Sequence, residues 1–70
     1  MLEQCAALID DLIALRKEKG WTQKELSEVC GLTQSVIARL ERKKVTPQLD
    51  TLLKVASALG CKLELAPVGS

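Results

Sequence analysis

The chain has 70 residues, 47% of them apolar, and a net charge of +1, with no histidine, tyrosine or phenylalanine. One domain is expected at this length, burying only ~60% of its unfolded surface, a thin margin that dimerisation would widen. No apolar run approaches the ~18 residues of a membrane span, and the N-terminus lacks the basic start, apolar stretch and cleavage site of a signal peptide, so a cytoplasmic module is expected.

The spacing of Leu8, Leu12 and Leu15 predicts a first helix from about Leu2 to Lys19, with these three leucines facing the core. Leu2, Cys5, Ile9 and Ile13 add apolar surface beyond one narrow stripe. So broad an apolar helix is expected to touch something besides the core of its own chain.

The next stretch, QKELSEVCGLTQSVIARL from Gln23 to Leu40, reads as two short amphipathic helices joined at one glycine. Thr22 is a good N-cap, and Glu25 three residues later completes a capping box. Trp21 before the cap and Leu26 within the helix are placed as a hydrophobic staple. The helix runs to about Cys30. Gly31 supplies the left-handed conformation of a C-terminal turn. Thr33 caps a second helix over 34–41, with Leu32 and Ile37 as a second staple. Leu26, Cys30, Leu32, Ile37 and Leu40 face inward, and Ser27 sits where the helices approach closely. The second helix carries short polar side chains on its outer face, the arrangement of a DNA-binding helix-turn-helix with its core over 22–41. A helical pair with no DNA role shares the same local signals.

Arg42, Lys43 and Lys44 then form a basic loop suited to phosphates. Thr46 as cap and Pro47 in the first turn predict one continuous helix over 46–59. Leu49, Leu52, Val55, Ala56 and Leu59 mark its apolar face, and Gly60 is its stop. In the tail, Lys62, Leu63, Glu64 and Leu65 alternate polar and apolar, as in a short β-strand ended by Pro67. A lone strand leaves backbone groups unpaired. The expectation is therefore antiparallel pairing of two tails across a two-fold axis near Leu63, with Lys62 facing Glu64 of the other chain. Leu63 and Leu65 would then cover the surplus apolar surface of the first helix. The alternative is a frayed tail.

Charge is unevenly placed. Residues 1–15 carry Glu3, Asp10 and Asp11 with no basic group, a balance of −3. Residues 16–44 carry eight basic against four acidic residues, a balance of +4, and residues 45–70 are neutral. The positive charge thus falls on the helix-turn-helix, where phosphate attraction needs it.

The run WTQKELSEVCGLTQSVIARLERKKVTPQLDTLLKVASALG, with LRKEKGW before it, resembles the Cro/cI-type phage-repressor family, the XRE-type helix-turn-helix proteins. The likeness begins at Leu15 and ends near Gly60. It implies an all-α, repressor-like domain over 1–60, with 61–70 as a dimerisation strand and tail. The family has five helices; the sequence itself reads as four or five. The resemblance also implies a homodimer acting on double-stranded DNA, usually to repress transcription. Carried over by position, the base-reading residues are Gln34, Ser35 and Arg39, with Thr33 near the backbone. Gln23 matches a phosphate contact, and Lys24, Arg42, Lys43 and Lys44 are further candidates. Gln34 can hold adenine and Arg39 guanine through two hydrogen bonds, and Val36 or Ala38 can meet a thymine methyl. Ser35 is short and specifies little on its own. Arg39 has an alternative partner in any nearby carboxylate. Arg16 and Glu41 occupy positions that form an internal ion pair in many relatives, a structural role.

Other classes fit poorly. An enzyme would lack a proton-transfer His or Tyr, a glycine-rich phosphate loop and a nucleophile with its base. Asp10 and Asp11, adjacent on a helix, point in different directions. The three cysteines, Cys5, Cys30 and Cys61, are odd in number and widely spaced. They read as reduced thiols packed in or near the core, with no disulfide framework and no metal ligand spacing. No cofactor or small-molecule ligand is expected. RNA is disfavoured because Trp21 alone offers no stacking platform. The competing reading is a protein-interaction module, such as an antitoxin subunit that holds a toxin, with DNA binding secondary.

Overall fold

The structure is a computed structural model that describes residues 1–68. Its four helices are α1 (Glu3–Glu18), α2 (Gln23–Cys30), α3 (Gln34–Arg42) and α4 (Leu49–Ala58). They bury one core made of Ile9, Leu12, Leu26, Ile37, Leu40, Leu52, Val55, Ala56 and Leu59. Leu8, Ile13, Leu15, Trp21, Cys30, Leu32 and Leu63 are partly buried against it.

α1 is rotated relative to the expected stripe. Ile9, fully buried, and Leu12 form its inner line, while Leu8 and Leu15 flank it. The reason is Arg16, which continues that line and is itself only 8% exposed. Burying its guanidinium against a partner sets the phase of a helix that has apolar residues on more than one side. Leu2 lies just outside the helix and is exposed.

The α2–α3 unit follows its local chemistry. Thr22 Oγ1 accepts the Glu25 N–H at 3.1 Å, and Glu25 Oε1 accepts the Thr22 N–H at 2.9 Å, closing the capping box. Gly31 has φ 76°, the left-handed region open to glycine, and its N–H bonds the Ser27 carbonyl. Thr33 Oγ1 accepts the Val36 N–H at 3.2 Å and starts α3. Ser27 is buried between the helices, its hydroxyl donating to the Lys24 carbonyl.

Several expectations at the C-terminal end are corrected. α4 begins at Leu49 behind Gln48, not at Thr46 and Pro47, and Gln48 makes no side-chain cap bond. The packed stripe starts only at Leu52, so nothing holds residues 46–48 in an extra turn, and they span from α3 to α4 instead. For the same reason Leu49, on the expected apolar face, is 65% exposed. Cys61 is exposed, whereas Cys30 packs against the core and Cys5 is half-buried; all three are free thiols.

After α4 the chain closes a left-handed turn at Gly60, the Cys61 N–H reaching back to the Ala56 carbonyl at 2.8 Å. Residues 61–67 then carry no regular structure, and no strand is present among the described residues. Leu63 packs on the core while Leu65 is fully exposed, so Leu65 covers no part of α1 within the chain. Lys62 Nζ lies 3.0 Å from Glu64 Oε1 of the same chain. The last two positions of the tail over 61–70 lie outside the described residues.

Candidate nucleic-acid interface

α3 has two faces with opposite duties. Ile37 and Leu40 anchor it in the core. On the other side Gln34, Ser35, Ala38, Arg39 and Arg42 line one shallow concave surface. Gln34, Ser35, Arg39 and Arg42 are exposed, and none of their side chains has a hydrogen-bond or ion-pair partner among the described residues. Arg39 is therefore not drawn to any carboxylate among the described residues. Nine residues cannot hold a helix by propensity alone, so the polar face owes its rigidity to the buried one.

The predicted backbone contacts fall into two groups. Lys24 and Lys44 are exposed and unpaired among the described residues. Gln23 and Lys43 are engaged. Lys43 ends α3 in the left-handed region, φ 59°, and its Nζ sits 2.6 Å from Asp10 Oδ1 on α1. A partly exposed pair of this kind contributes little to stability. Thr33 spends one lone pair on its cap and keeps its hydroxyl hydrogen.

Gln23 Nε2 donates to Glu41 Oε1 at 3.0 Å. Glu41 also receives Arg16 Nε on Oε2 at 2.7 Å and Arg16 Nη2 on Oε1 at 3.0 Å, a two-bond fork in a nearly buried setting. Arg16 Nη1 donates to the Trp21 carbonyl at 2.6 Å. One network thus joins α1, the α1–α2 turn, the first residue of α2 and the last turn of α3. Trp21 is half-buried, with Lys19 Nζ 5.4 Å from its ring centroid.

The two thymine-methyl candidates separate. Ala38 lies on the concave face with Gln34, whereas Val36 turns toward a second recess formed with Leu40, Val45, Thr46 and Pro47. Val45, 57% exposed beside Arg39 in that recess, had no signal in the sequence, because its position depends on the path of the α3–α4 loop. The Gln23–Glu41 and Asp10–Lys43 links, 18 and 33 residues apart, were equally invisible to local spacing.

No helix among the described residues is long and apolar enough to cross a membrane. Within those residues, no group of three His, Cys, Asp or Glu side chains is placed to hold a metal ion.

Residues 12–65 match the sequence model of the family described as "Helix-turn-helix". An uncharacterised HTH-type transcriptional regulator of Haemophilus influenzae is 44% identical over 62 residues, covering 89% of this chain and 63% of that protein. The immunity repressor protein of Bacillus phage phi105 is 44% identical over 50 residues, 71% of this chain and 35% of the repressor. Among solved structures, a chain of a toxin–antitoxin module from Streptococcus pneumoniae superposes with a TM-score of 0.79 at 47% identity, covering 94% of this chain and 72% of that one. The chain thus spans less than two thirds of the length of these two regulators. By the family match and these likenesses, the chain belongs to the helix-turn-helix family of the XRE, or Cro/cI, type.

Proposed function

We propose that the chain is a sequence-specific, double-stranded-DNA-binding transcriptional regulator. It acts as a dimeric repressor that lays α3 in the major groove. The observation that carries this reading is the outer face of α3, where Gln34, Ser35 and Arg39 stand exposed and unpaired on a helix fixed by its buried side. In this reading Gln34 and Arg39 read adenine and guanine edges, Ser35 adds a short contact, and Ala38 meets a thymine methyl. Gln23, Lys24, Thr33, Arg42, Lys43 and Lys44 take phosphates, with Lys43 exchanging Asp10 for the DNA backbone. The chain has no catalytic role, and its place of action is the cytoplasm.

Arg39→Ala tests the assignment. Discrimination at one base pair should fall by ~1–3 kcal/mol, read as binding constants for duplexes altered one position at a time. A loss equal on every duplex would move Arg39 to the phosphate class.

The dimer is formed by the tails. Lys62 and Glu64 already lie within reach of each other in one chain, and antiparallel pairing of 62–65 gives each a partner across the axis and satisfies backbone groups left open in the single chain. Leu65 then gains a cover from the second copy. Removing residues 62–70 should convert a dimer into a monomer by light scattering. A truncated chain that stays dimeric would put the interface elsewhere.

A second, compatible reading is an antitoxin subunit that also holds a toxin. The likeness to a chain of the S. pneumoniae toxin–antitoxin module favours it. A neighbouring gene for a small toxin-like protein is the discriminating observation.

A further inference from the structure

One connection of the ion-pair network runs outward. Glu41 Oε1 accepts from both Arg16 Nη2 and Gln23 Nε2, each at 3.0 Å. A carboxylate only accepts, so Gln23 must turn its NH2 group toward Glu41. That bond uses one amide hydrogen, and no acceptor among the described residues takes the other. Gln23 is the first residue of α2 and is half-buried. A glutamine free at a helix start samples many rotamers; this one is tethered to a carboxylate that two guanidinium bonds hold in place.

We propose that Glu41 is a positioning residue for DNA binding, acting through Gln23. It fixes the Gln23 amide so that the second hydrogen meets a phosphate, and Arg16 in turn fixes Glu41. The inference rests on the DNA-binding reading above and adds a division of labour to it. Glu41 lies on the same helix as Gln34 and Ser35. The network therefore holds the phosphate donor at the start of α2 in one register with the side chains that face the bases.

The double variant Arg16→Met with Glu41→Leu removes the network without leaving a buried charge, a replacement that is often neutral or stabilising. Two readouts apply. In the free proteins, 15N relaxation of the Gln23 side-chain amide should show it ordered in the parent and mobile in the variant. On a selected duplex, the variant should bind about tenfold more weakly, the scale of one hydrogen bond to a charged group. Base preference should be unchanged, and the salt slope should be unchanged too, because the Gln23 amide is neutral and the double replacement leaves the net charge as it was. Gln23→Ala should cost the parent a similar factor and cost the double variant nothing further. Should the double variant fail to fold, Glu41→Gln keeps the shape, and a smaller loss in the same direction is expected. A Gln23 amide equally ordered in both proteins, or losses that simply add, would overturn the positioning role alone. A parent that binds no duplex would overturn the DNA-binding reading and this role with it.

Discussion

Glu41→Ala should destabilise the domain by about 3 kcal/mol, the low end of the range for breaking a buried ion pair. The Arg16 side chain is 10% exposed and that of Glu41 11%. Truncating Glu41 strips the guanidinium of two bonds at 2.7 and 3.0 Å and leaves it the Trp21 carbonyl. Water has little access to compensate. Gln23 loses its acceptor at the same time. A chain of this size has a total stability of about 4–10 kcal/mol, so the variant should melt more than about 10 °C below the parent. The combined change Arg16→Met and Glu41→Leu should instead fall within about 1 kcal/mol of the parent, because no charge is left buried. Equal melting of the parent and Glu41→Ala would mean that water already serves the guanidinium.

Ile37→Ala should cost about 3 kcal/mol by denaturant unfolding, with an unchanged slope. Ile37 is fully buried and sits on the inner face of the helix whose outer face carries Gln34, Ser35 and Arg39. Its truncation loses transfer energy and opens a cavity in the core that it shares with Leu26 and Leu40, which one short helix cannot close by shifting. Ile37→Val removes a single methylene and should cost ~1 kcal/mol. The gap between the two variants measures how rigidly α3 is seated. Similar costs would show that the core collapses around the smaller side chain.

The α2–α3 unit could be read from sequence because its signals are local. The Thr22–Glu25 box, Gly31 and the Thr33 cap each act within one turn of the chain, and each appears where spacing put it. The phase of α1 could not be read from spacing. Leu8, Ile9, Leu12, Ile13 and Leu15 permit several inner faces, and the choice is made by Arg16 meeting Glu41 on another helix. The start of α4 misled because Thr46-Pro47 is a locally valid helix opening, whereas the core begins at Leu52. At the interface, the exposure of Gln34, Ser35 and Arg39 follows from helical period alone. The engagement of Lys43 by Asp10 and of Gln23 by Glu41 depends on how three helices dock, which no spacing in the sequence encodes.

Sequence reading by α3 is tested by selection of bound duplexes from a random DNA pool at near-physiological salt. The expected result is an enriched palindrome with half-sites about one helical turn, ~10 bp, apart, the spacing of two recognition helices related by a dimer axis. No enrichment, with only salt-sensitive binding to any duplex, would mean that α3 reads no sequence and that the chain's function lies in the protein it holds.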